Sequence, residues 1–428
     1  MKNFVSELQW RGMVHSIMPG TEEMLLENKT SGYIGFDPTA DSLHVGSLVQ
    51  IMLLSHFQRA GHQPIALVGG ATGMIGDPSG KKEERKLLSQ SEIEFNVAGI
   101  RKQLERFLDF DAKDNAASIV NNYEWFEKIT TIDFLRDTGK FLTVNYLLSK
   151  GFVKDRLALE QELSFTEFNY ILMQSYDFLW LYENRNCVLQ MGGSDQWGNI
   201  TAGAELIRKK IRGDAFGLTC PLITKADGSK FGKTESGNIW LDPKRTSPYK
   251  FYQFWLNASD EDSKNYIRIF TFLNKDEIES LEAEHSKAPN QRLLQKALAK
   301  DVTIRIHSEK EYHSALGASE ILFGNGTADA LVNLSEEDML AVFEGVPQVS
   351  LGRTEIESGL NIIELLVDKS SIFPSRGEAR KMIQGGGVFV NKLKVEDINL
   401  VINREHVLKQ KFILLQKGKK NYYLVQVV

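Results

Sequence analysis

His44 and Gly46 stand where a nucleotide could bind. A β-prone run from Tyr33 to Phe36 precedes them, and a helical pattern begins near Ser42. A histidine in the first turn of a helix can donate a hydrogen bond to a phosphate at the positive helix end, and a glycine there lets a flat purine approach the backbone. The four-residue pattern His-x-Gly-x also arises by chance. A histidine near a helix start is more often a cap or a surface residue.

A second polar group lies on one face of a long predicted helix. Ser164 and Glu167 form an S-x-x-E capping box, and the pattern that follows is largely apolar. Tyr170, Gln174 and Asp177 are spaced i, i+4 and i+7, so a phenol, an amide and a carboxylate share one narrow face. Because apolar residues flank this stripe, an internal polar cavity for a small zwitterion and a solvent-facing surface are about equally consistent with it.

Two further segments carry groups that suit a nucleotide. The apolar run Cys187 to Gly193 ends in a glycine turn, and the carboxylate of Asp195 after it can accept hydrogen bonds from ribose hydroxyls or cap the next helix. A glycine-bounded loop further on holds Lys230 and Lys233, followed by a threonine. A mobile cationic loop of this kind can close over a polyphosphate, although loops rich in Lys, Gly and Thr are also simply solvated.

The spacing of apolar residues predicts the elements that position these groups. The helical pattern after Ser42 is followed by the run 64–70, which is apolar on both faces, as a central parallel strand covered by helices would be. The run ending at Gly193 repeats the pattern of strand, glycine turn and helix. We therefore predict an α/β, Rossmann-like parallel-sheet domain, an all-α domain and a small α+β domain. The predicted boundaries are 1–247 for the first domain, with a helical insertion at about 119–160, 248–323 for the all-α domain, 324–359 for a linker and 360–428 for the last domain.

The composition is that of a globular protein with an uneven distribution of charge. Hydrophobic residues make up 42% and charged residues 25% of the 428 positions. The net charge of −5 argues against uniform coating by nucleic acid, but the last 69 residues hold 12 Lys and Arg against 6 Asp and Glu. The N-terminus lacks a signal pattern and no uncharged apolar run is long enough to span a bilayer, so we expect a cytoplasmic protein without membrane contact.

Cys187 and Cys220 are the two cysteines of the chain. They have neither C-x-x-C spacing nor clustering with histidines. We therefore expect no disulfide framework and no metal site formed by the protein, and we expect both thiols to be buried.

Together these segments resemble the bacterial-type tyrosyl-tRNA synthetase family, which belongs to the class I aminoacyl-tRNA synthetases. YIGFDPTADSLHVGSL is similar to the family's HIGH signature, KFGKT to its KMSKS loop, and SFTEFNYILMQSYDF and LQMGGSDQWGN to its amino-acid and ribose-binding segments. The C-terminal region is similar to the alpha-L RNA-binding module first known from a ribosomal protein. The likeness covers nearly the whole chain, and it implies that the all-α domain binds the anticodon and the last domain binds RNA.

The resemblance also implies roles for individual side chains. The substrate phenol hydroxyl would contact Tyr33 and Asp177. The ammonium and carboxylate of the amino acid would contact Asp77, Tyr170, Gln174 and Gln196. The nucleotide and its phosphates would contact Thr39, His44, Gly46, Ser47, Lys81, Arg85, Gly193, Asp195 and Lys233. The catalytic set would comprise Thr39, His44, Lys230, Lys233 and Thr234.

The reaction implied by the resemblance is formation of tyrosyl-adenylate from L-tyrosine and MgATP, followed by transfer of tyrosine to the 3′ end of tRNA(Tyr). The family resemblance also implies a homodimer with its two-fold contact around residues 134–148. Basic residues on the helix and turns of the last domain could follow RNA phosphates without reading base edges. They are Arg376, Arg380, Lys381, Lys417, Lys419 and Lys420.

Ser47 departs from the family, because the signature usually has a second histidine at this position. A serine hydroxyl can donate a hydrogen bond but carries no positive charge, so the contribution of that histidine does not carry over to this chain.

Three other functions compete with the one described. A tryptophanyl relative would share the catalytic fold, but the pair Tyr33 and Asp177 suits a phenol. A nucleotidyltransferase would lack the KFGKT loop and the basic tail, and a non-catalytic RNA-binding protein would have no reason to keep the ATP site.

Overall fold

The structure, a computed structural model, describes residues 3–77, 88–160, 162–234, 237–323, 328–343, 346–418 and 421–428. The chain divides into two compact units, the first formed by Met1–Asp242 with Ala258–Leu298 and the second by Pro243–Asn257 with Ala299–Val428. The strands are β1 (Ser16–Ile17), β2 (Ser31–Phe36), β3 (Gln63–Val68), β4 (Ser118–Asn121), β5 (Cys187–Gly193), β6 (Phe216–Cys220), β7 (Lys233–Thr234), β8 (Gly237–Asn238), β9 (Gln348–Leu351), β10 (Leu360–Asn361), β11 (Val388–Val390), β12 (Leu393–Lys394), β13 (Val401–Ile402), β14 (Phe412–Lys417) and β15 (Asn421–Val427).

The helices fill most of the remaining chain. They are α1 (Phe4–Trp10), α2 (Thr21–Glu27), α3 (Val45–Arg59), α4 (Thr72–Ile75), α5 (Gln90–Leu104), α6 (Tyr123–Phe126), α7 (Thr131–Asp137), α8 (Val144–Leu148), α9 (Gly151–Ala158), α10 (Phe165–Arg185), α11 (Trp197–Ile211), α12 (Pro248–Leu256), α13 (Asp260–Phe270), α14 (Lys275–Lys287), α15 (Leu293–Ile306), α16 (Glu309–Phe323), α17 (Ala328–Asn333), α18 (Glu336–Val342), α19 (Arg353–Glu357), α20 (Ile362–Glu364) and α21 (Arg376–Gln384).

The first unit is built on a six-stranded mixed sheet with the order β1-β6-β5-β2-β3-β4. Its strands are parallel except β1, which runs antiparallel to β6. Every residue of β3 after Gln63 is buried, as the apolar run predicted. The strand order reverses between β2 and β5, and the crevice beyond the carboxyl ends of two such strands is where parallel sheets usually bind ligands.

Helix α3 begins at Val45 and not near Ser42, where the sequence pattern placed its start. His44 has an extended backbone conformation, and its side chain accepts a hydrogen bond from the Gly46 amide, so this histidine caps the helix. At the other end Gly61 adopts φ = +103°, which agrees with its predicted position just beyond the helix.

The range 119–160, predicted to be a helical insertion, begins inside the central sheet. Residues Ser118–Asn121 pair with β3 as the edge strand β4, since Ile119 and Val120 are β-branched and favour a strand. Helices α6 to α9 follow within the range.

The range 248–323, predicted to be one all-α domain, is helical but falls into two units. Helices α13 and α14 belong to the first unit because Ile267 and Ile278 share a small core with Trp10. The guanidinium of Arg11 reinforces this packing by donating to the backbone carbonyls of Arg268, Thr271 and Leu273 at 2.6 to 3.0 Å. Such local packing between distant segments has no signature in the sequence.

The C-terminal part of the second unit contains a five-stranded sheet with the order β12-β11-β14-β15-β9. Strand β9 comes from the range 324–359, which the sequence suggested was a linker, and it pairs in parallel with β15. Helix α21 packs on a core that includes Ala379, Ile383 and Val388. The sheet is antiparallel except for the pair β9 and β15, so this region has α+β and not α/β character. No helix of the described residues is long and apolar enough to cross a membrane.

Candidate active site

A cavity of about 340 Å³ opens in the first unit at the carboxyl ends of β2 and β5. Eleven of the residues predicted to form the site line it. They are Tyr33, Thr39, His44, Gly46, Ser47, Asp77, Tyr170, Gln174, Asp177, Asp195 and Gln196. The polar stripe of α10 therefore faces an internal cavity, which decides between the two interpretations that the sequence left open.

One end of the cavity, here the closed end, consists of Tyr33 and Asp177, which line it, and of Asn122 and Trp125, which hydrogen-bond to Asp177. Tyr33 is 1% exposed, and its hydroxyl has no hydrogen-bond partner among the described residues. The carboxyl group of Asp177 accepts hydrogen bonds from Trp125 Nε1 at 2.9 Å and from Asn122 Nδ2 at 3.1 Å. A buried hydroxyl without a partner is costly, so this end suits a ligand that offers a hydroxyl of its own.

Burial determines the ionisation of the closed end. It raises the pKa of Asp177 to about 8, although the hydrogen bonds from Asn122 and Trp125 favour the charged form. Burial also raises the pKa of Tyr33 well above its ordinary value, and the charge of Asp177 adds to this effect. Tyr33 is therefore a neutral phenol that can both donate and accept a hydrogen bond.

Sequence reasoning missed two members of the closed end. Asn122 and Trp125 follow β4, more than 50 residues before Asp177, and Trp125 is held by stacking on Trp180 with ring centroids 4.2 Å apart. Gln190, the register partner of Tyr33 on β5, was also missed, and its buried Oε1 atom has no partner within the described part of the chain. Asn122 and Trp125 belong to no local motif, and Gln190 lies within LQMGGSDQWGN without a role that its sequence position alone indicates, so only the folded sheet reveals their place beside Tyr33 and Asp177.

The middle of the cavity is a chain of carboxylates and amides. Gln196 Nε2 donates to Asp77 at 2.8 Å, and Gln174 Nε2 donates to Gln196 Oε1 at 3.1 Å. The hydroxyl of Tyr170 lies 3.2 Å from a carboxylate oxygen of Asp37, a residue to which sequence reasoning assigned no role. Two carboxylates and a phenol oxygen in this position can accept hydrogen bonds from an ammonium group.

The opposite end, here the helix end, is formed by His44, Gly46 and Ser47 at the start of α3. His44 Nδ1 accepts from the Gly46 amide at 3.0 Å, so the neutral ring carries its proton on Nε2 and can donate it to a ligand. A Cβ atom on Gly46 would lie 2.8 Å from the His44 ring, so a larger residue there would force this ring to move. Ser47 lines the cavity without contributing a charge.

The KFGKT loop joins the helix end through backbone hydrogen bonds. The Val45 amide donates to Ile239 O, and the Ile239 amide donates to Gly232 O, at 2.9 and 3.1 Å. Lys230 and Lys233 are exposed and do not line the cavity, although the loop that carries them is anchored beside it. The backbone of Thr234 belongs to the short strand β7.

Gly193 and Asp195, two residues predicted to contact the nucleotide, lie close together at the end of β5. A Cβ atom on Gly193 would lie 2.6 Å from Asp195 Oδ1, so the glycine makes room for this carboxylate. Burial and the nearby charge of Asp77 raise the pKa of Asp195. Gly192 lines the cavity in place of the predicted Gly193.

Four predicted contacts lie outside the described residues, namely Lys81, Arg85, Lys419 and Lys420. Of the remaining predicted RNA contacts, Arg380 and Lys381 are exposed on α21, whereas Arg376 pairs with Asp368 at 2.7 Å and Lys417 Nζ donates to Ile372 O at 3.2 Å. Cys187 and Cys220 are buried, as predicted. Among the described residues, no three His, Cys, Asp or Glu side chains are grouped so that they could hold a metal ion.

The chain has the fold of a class I aminoacyl-tRNA synthetase. The model of the class I tRNA synthetases (W and Y) matches residues 26–324, and the model of the tyrosine–tRNA ligase SYY-like C-terminal domain matches residues 338–425. The chain is 59% identical to the tyrosine–tRNA ligase of Bacteroides fragilis over 426 residues, with 99% of each chain covered. It is 60% identical to that of Cytophaga hutchinsonii over 428 residues, with 100% of each covered. The chain belongs to the tyrosine–tRNA ligase family.

Solved structures agree with this assignment. The C-terminally truncated mitochondrial tyrosyl-tRNA synthetase of Aspergillus nidulans matches with a TM-score of 0.68 and 30% identity, covering 76% of this chain and 95% of that one. The tryptophanyl-tRNA synthetase of Plasmodium falciparum matches with a TM-score of 0.52 at 13% identity. The fold alone therefore does not separate tyrosine from tryptophan, and the specificity has to be sought in the cavity.

Proposed function

We infer that this protein attaches tyrosine to tRNA(Tyr) in two steps, first forming tyrosyl-adenylate and pyrophosphate from L-tyrosine and ATP. The observation that carries the choice of tyrosine is the closed end of the cavity. A substrate phenol placed there supplies a partner for the buried Tyr33 hydroxyl and hydrogen-bonds to Asp177. Phenylalanine would leave these polar groups unsatisfied, which costs binding free energy. The larger indole of tryptophan would place no hydroxyl against them.

The remaining polar groups of tyrosine fit the middle of the cavity. Asp77, Tyr170 and Gln174 would receive the ammonium group, and Gln196 would donate to the carboxylate. Asp37 joins this set because the Tyr170 hydroxyl contacts it. The substrate carboxylate is already ionised at neutral pH, so the first step requires no general base and depends on orientation.

ATP, with Mg²⁺ bound to its phosphates, would lie at the helix end. Gly46 leaves space for the adenine, Gly193 and Asp195 lie where a ribose can bind, and His44 Nε2 can donate to a phosphate. Thr39, Ser47, Lys81 and Arg85 are the other proposed contacts to the nucleotide. Lys230, Lys233 and Thr234 would stabilise the negative charge that develops on the phosphates during transfer.

We propose that the C-terminal region is an alpha-L RNA-binding module, following an anticodon-binding helical region, in a cytoplasmic enzyme. The boundaries 248–323 and 360–428 remain proposals, and β9 argues for an earlier start of the last domain. The exposed cations Arg380 and Lys381 would contact tRNA phosphates. Changing both to alanine should weaken tRNA charging several-fold and lower its salt dependence by about one unit of log–log slope per lost contact.

A matched control exists for this test. Arg101 and Lys102 form a similar exposed pair on α5 of the first unit. Their replacement by alanine should leave the KM for tRNA and its salt dependence unchanged. If both double variants reduce charging equally, the assignment of α21 to RNA binding is wrong.

We propose a homodimer whose contact includes residues 134–148 together with the first turn of helix α7, which begins at Thr131. Ile132 and Val144 are 73% and 60% exposed, which is unusual for large apolar side chains close together in sequence. Sedimentation velocity at micromolar concentration should give a dimer, and Ile132→Asp should dissociate it. Phe95→Asp on α5, which also replaces an exposed apolar residue, should not. A monomeric wild-type protein would remove this proposal.

The proposed reaction is tested by ATP–pyrophosphate exchange with three amino acids. L-Tyrosine should support exchange, whereas L-phenylalanine and L-tryptophan at the same concentration should not. Exchange with tryptophan alone would identify a tryptophanyl enzyme. No exchange with any amino acid, in a folded protein that binds tRNA, would favour a non-catalytic RNA-binding protein.

A further inference from the structure

The base of the KFGKT loop rests on helix α13, more than 25 residues further along the chain. The ring of Phe231 stacks on Phe270 with centroids 5.3 Å apart and an angle of 12°, and it contacts the Tyr266 ring at 5.0 Å. Phe231 is only 9% exposed, although Lys230 and Lys233 beside it are exposed. This phenylalanine therefore fixes the centre of an otherwise solvated segment.

A second bond attaches the same loop to the same helix. The Ala226 amide donates to Asp262 Oδ1 at 2.8 Å, and the other oxygen of Asp262 accepts from the Ser259 hydroxyl at the start of α13. Between these attachments the chain folds back in a tight turn, since the Lys225 amide donates to Ser229 O at 2.9 Å. The segment 225–231 is thus a short hairpin held at two points.

Gly232 connects this hairpin to the helix end of the cavity. It has φ = +76°, and a Cβ atom there would lie 2.7 Å from Val45 Cγ2, so the backbone touches the first turn of α3 directly. Phe231, which is attached to α13, directly precedes Gly232, which packs on α3. The two lysines flank this pair of positions, so their reach depends on both attachments.

We propose that Phe231 and Asp262 are positioning residues that hold the loop so that Lys230 and Lys233 can reach the reacting phosphates. This inference rests on the proposed role of the two lysines in adenylate formation. Neither positioning residue lines the cavity. Loss of either should allow the lysines to explore more positions, which lowers the rate of transfer without changing the affinity for tyrosine.

The test compares four full-length proteins, namely the wild type, Phe231→Ala, Lys233→Ala and the double variant. The rate of adenylate formation is measured in single turnovers, and tyrosine affinity is measured at equilibrium. Phe231→Ala should reduce the rate by about tenfold in the wild type and much less in the Lys233→Ala protein, because the lysine it positions is already absent. Tyrosine affinity should stay within twofold.

The outcomes separate this inference from the function on which it rests. If Lys233→Ala leaves adenylate formation unchanged, the role of the loop itself is wrong. If Lys233→Ala is slow but Phe231→Ala costs the same factor in both backgrounds, the loop acts as proposed and Phe231 does not position it. Parallel loss of rate and tyrosine affinity would make Phe231 a general structural residue.

Asp262→Ala provides an independent variant in case Phe231→Ala does not fold. It should show the same dependence on Lys233, whereas Asp262→Asn, which keeps an acceptor for the Ala226 amide, should restore most of the rate. Equal rates in Asp262→Ala and the wild type would show that the second attachment has no role and would overturn that half of the proposal.

Discussion

The closed end of the cavity consists of buried side chains from strands and helices, whereas the cations assigned to the phosphates lie exposed on a loop. Tyr33 and Asp177 are 1% and 2% exposed and belong to β2 and α10. Lys230 and Lys233 are attached to their surroundings mainly through the residues between them. A buried end suits discrimination between similar substrates, because unpaired polar groups are costly there. An exposed charged segment attached beside the cavity suits stabilisation of a transition state.

The largest effect is expected at the loop. Lys233→Ala should lower the rate of adenylate formation by about 10²-fold, since one preorganised charge next to the reacting phosphate is removed. Tyrosine affinity should change little, because the lysine does not line the cavity. Single-turnover rates and equilibrium binding together check this prediction. Equal losses in both would make the loop part of the amino-acid site and would erase the contrast between the two regions.

A smaller effect is expected at the closed end. Tyr33→Phe removes one hydroxyl from a packed site and should lower the tyrosine-to-phenylalanine ratio of kcat/KM by about tenfold. The protein should remain folded, because the hydroxyl has no partner among the described residues that would be left unpaired. An unchanged ratio would mean that the substrate phenol does not reach Tyr33.

The buried carboxyl group also predicts a dependence of stability on pH. Since the pKa of Asp177 is raised to about 8 by burial, the folded protein keeps this proton at pH values where the unfolded chain has lost it. The contribution of this carboxyl group to the free energy of unfolding is therefore fully present below pH about 4 and is lost as the pH rises from about 4 to 8. Asp177→Asn cannot ionise.

The stability of Asp177→Asn relative to the wild type should consequently increase with pH. The difference in unfolding free energy should grow by at most about 1.4 kcal/mol per pH unit and level off above pH about 8. Denaturant titrations of the free proteins at pH 5.5 and 8 measure it. A difference that does not change with pH would show that Asp177 is ionised in the folded protein throughout this range.

The two regions also differ in how much of them the sequence predicts. KFGKT is a local motif, so its lysines could be identified without knowledge of the fold, but its attachment to Phe270 could not. The capping box Ser164–Glu167 was predicted and is present, yet the buried partner of Glu167, Arg156 at 2.7 Å, was not. Local hydrogen bonds follow from spacing along one helix, whereas pairs between elements depend on how the elements pack.

The fold shows the same division. The parallel strands β2, β3 and β5 and helix α3 follow from runs of apolar residues, and their existence was predicted correctly, whereas the parallel strands β4 and β6 were not predicted. The pairing of β9 with β15 and the packing of α13 beside α1 were not predicted, because both join segments that are distant in sequence. The closed end has the same origin, since Asn122 and Trp125 approach Asp177 only when β4 takes its place at the edge of the sheet.

The separate roles of the closed end and the loop are tested most directly by the double variant Tyr33→Phe/Lys233→Ala, compared with both single variants. Single-turnover adenylate formation is measured for each protein with tyrosine and with phenylalanine. If the two regions act independently, the losses in activation free energy should add to within about 0.5 kcal/mol. The selectivity should then follow Tyr33 alone, and most of the loss in rate with tyrosine should come from Lys233→Ala. A selectivity that changes with Lys233→Ala, or a double variant no slower than Lys233→Ala alone, would contradict the account.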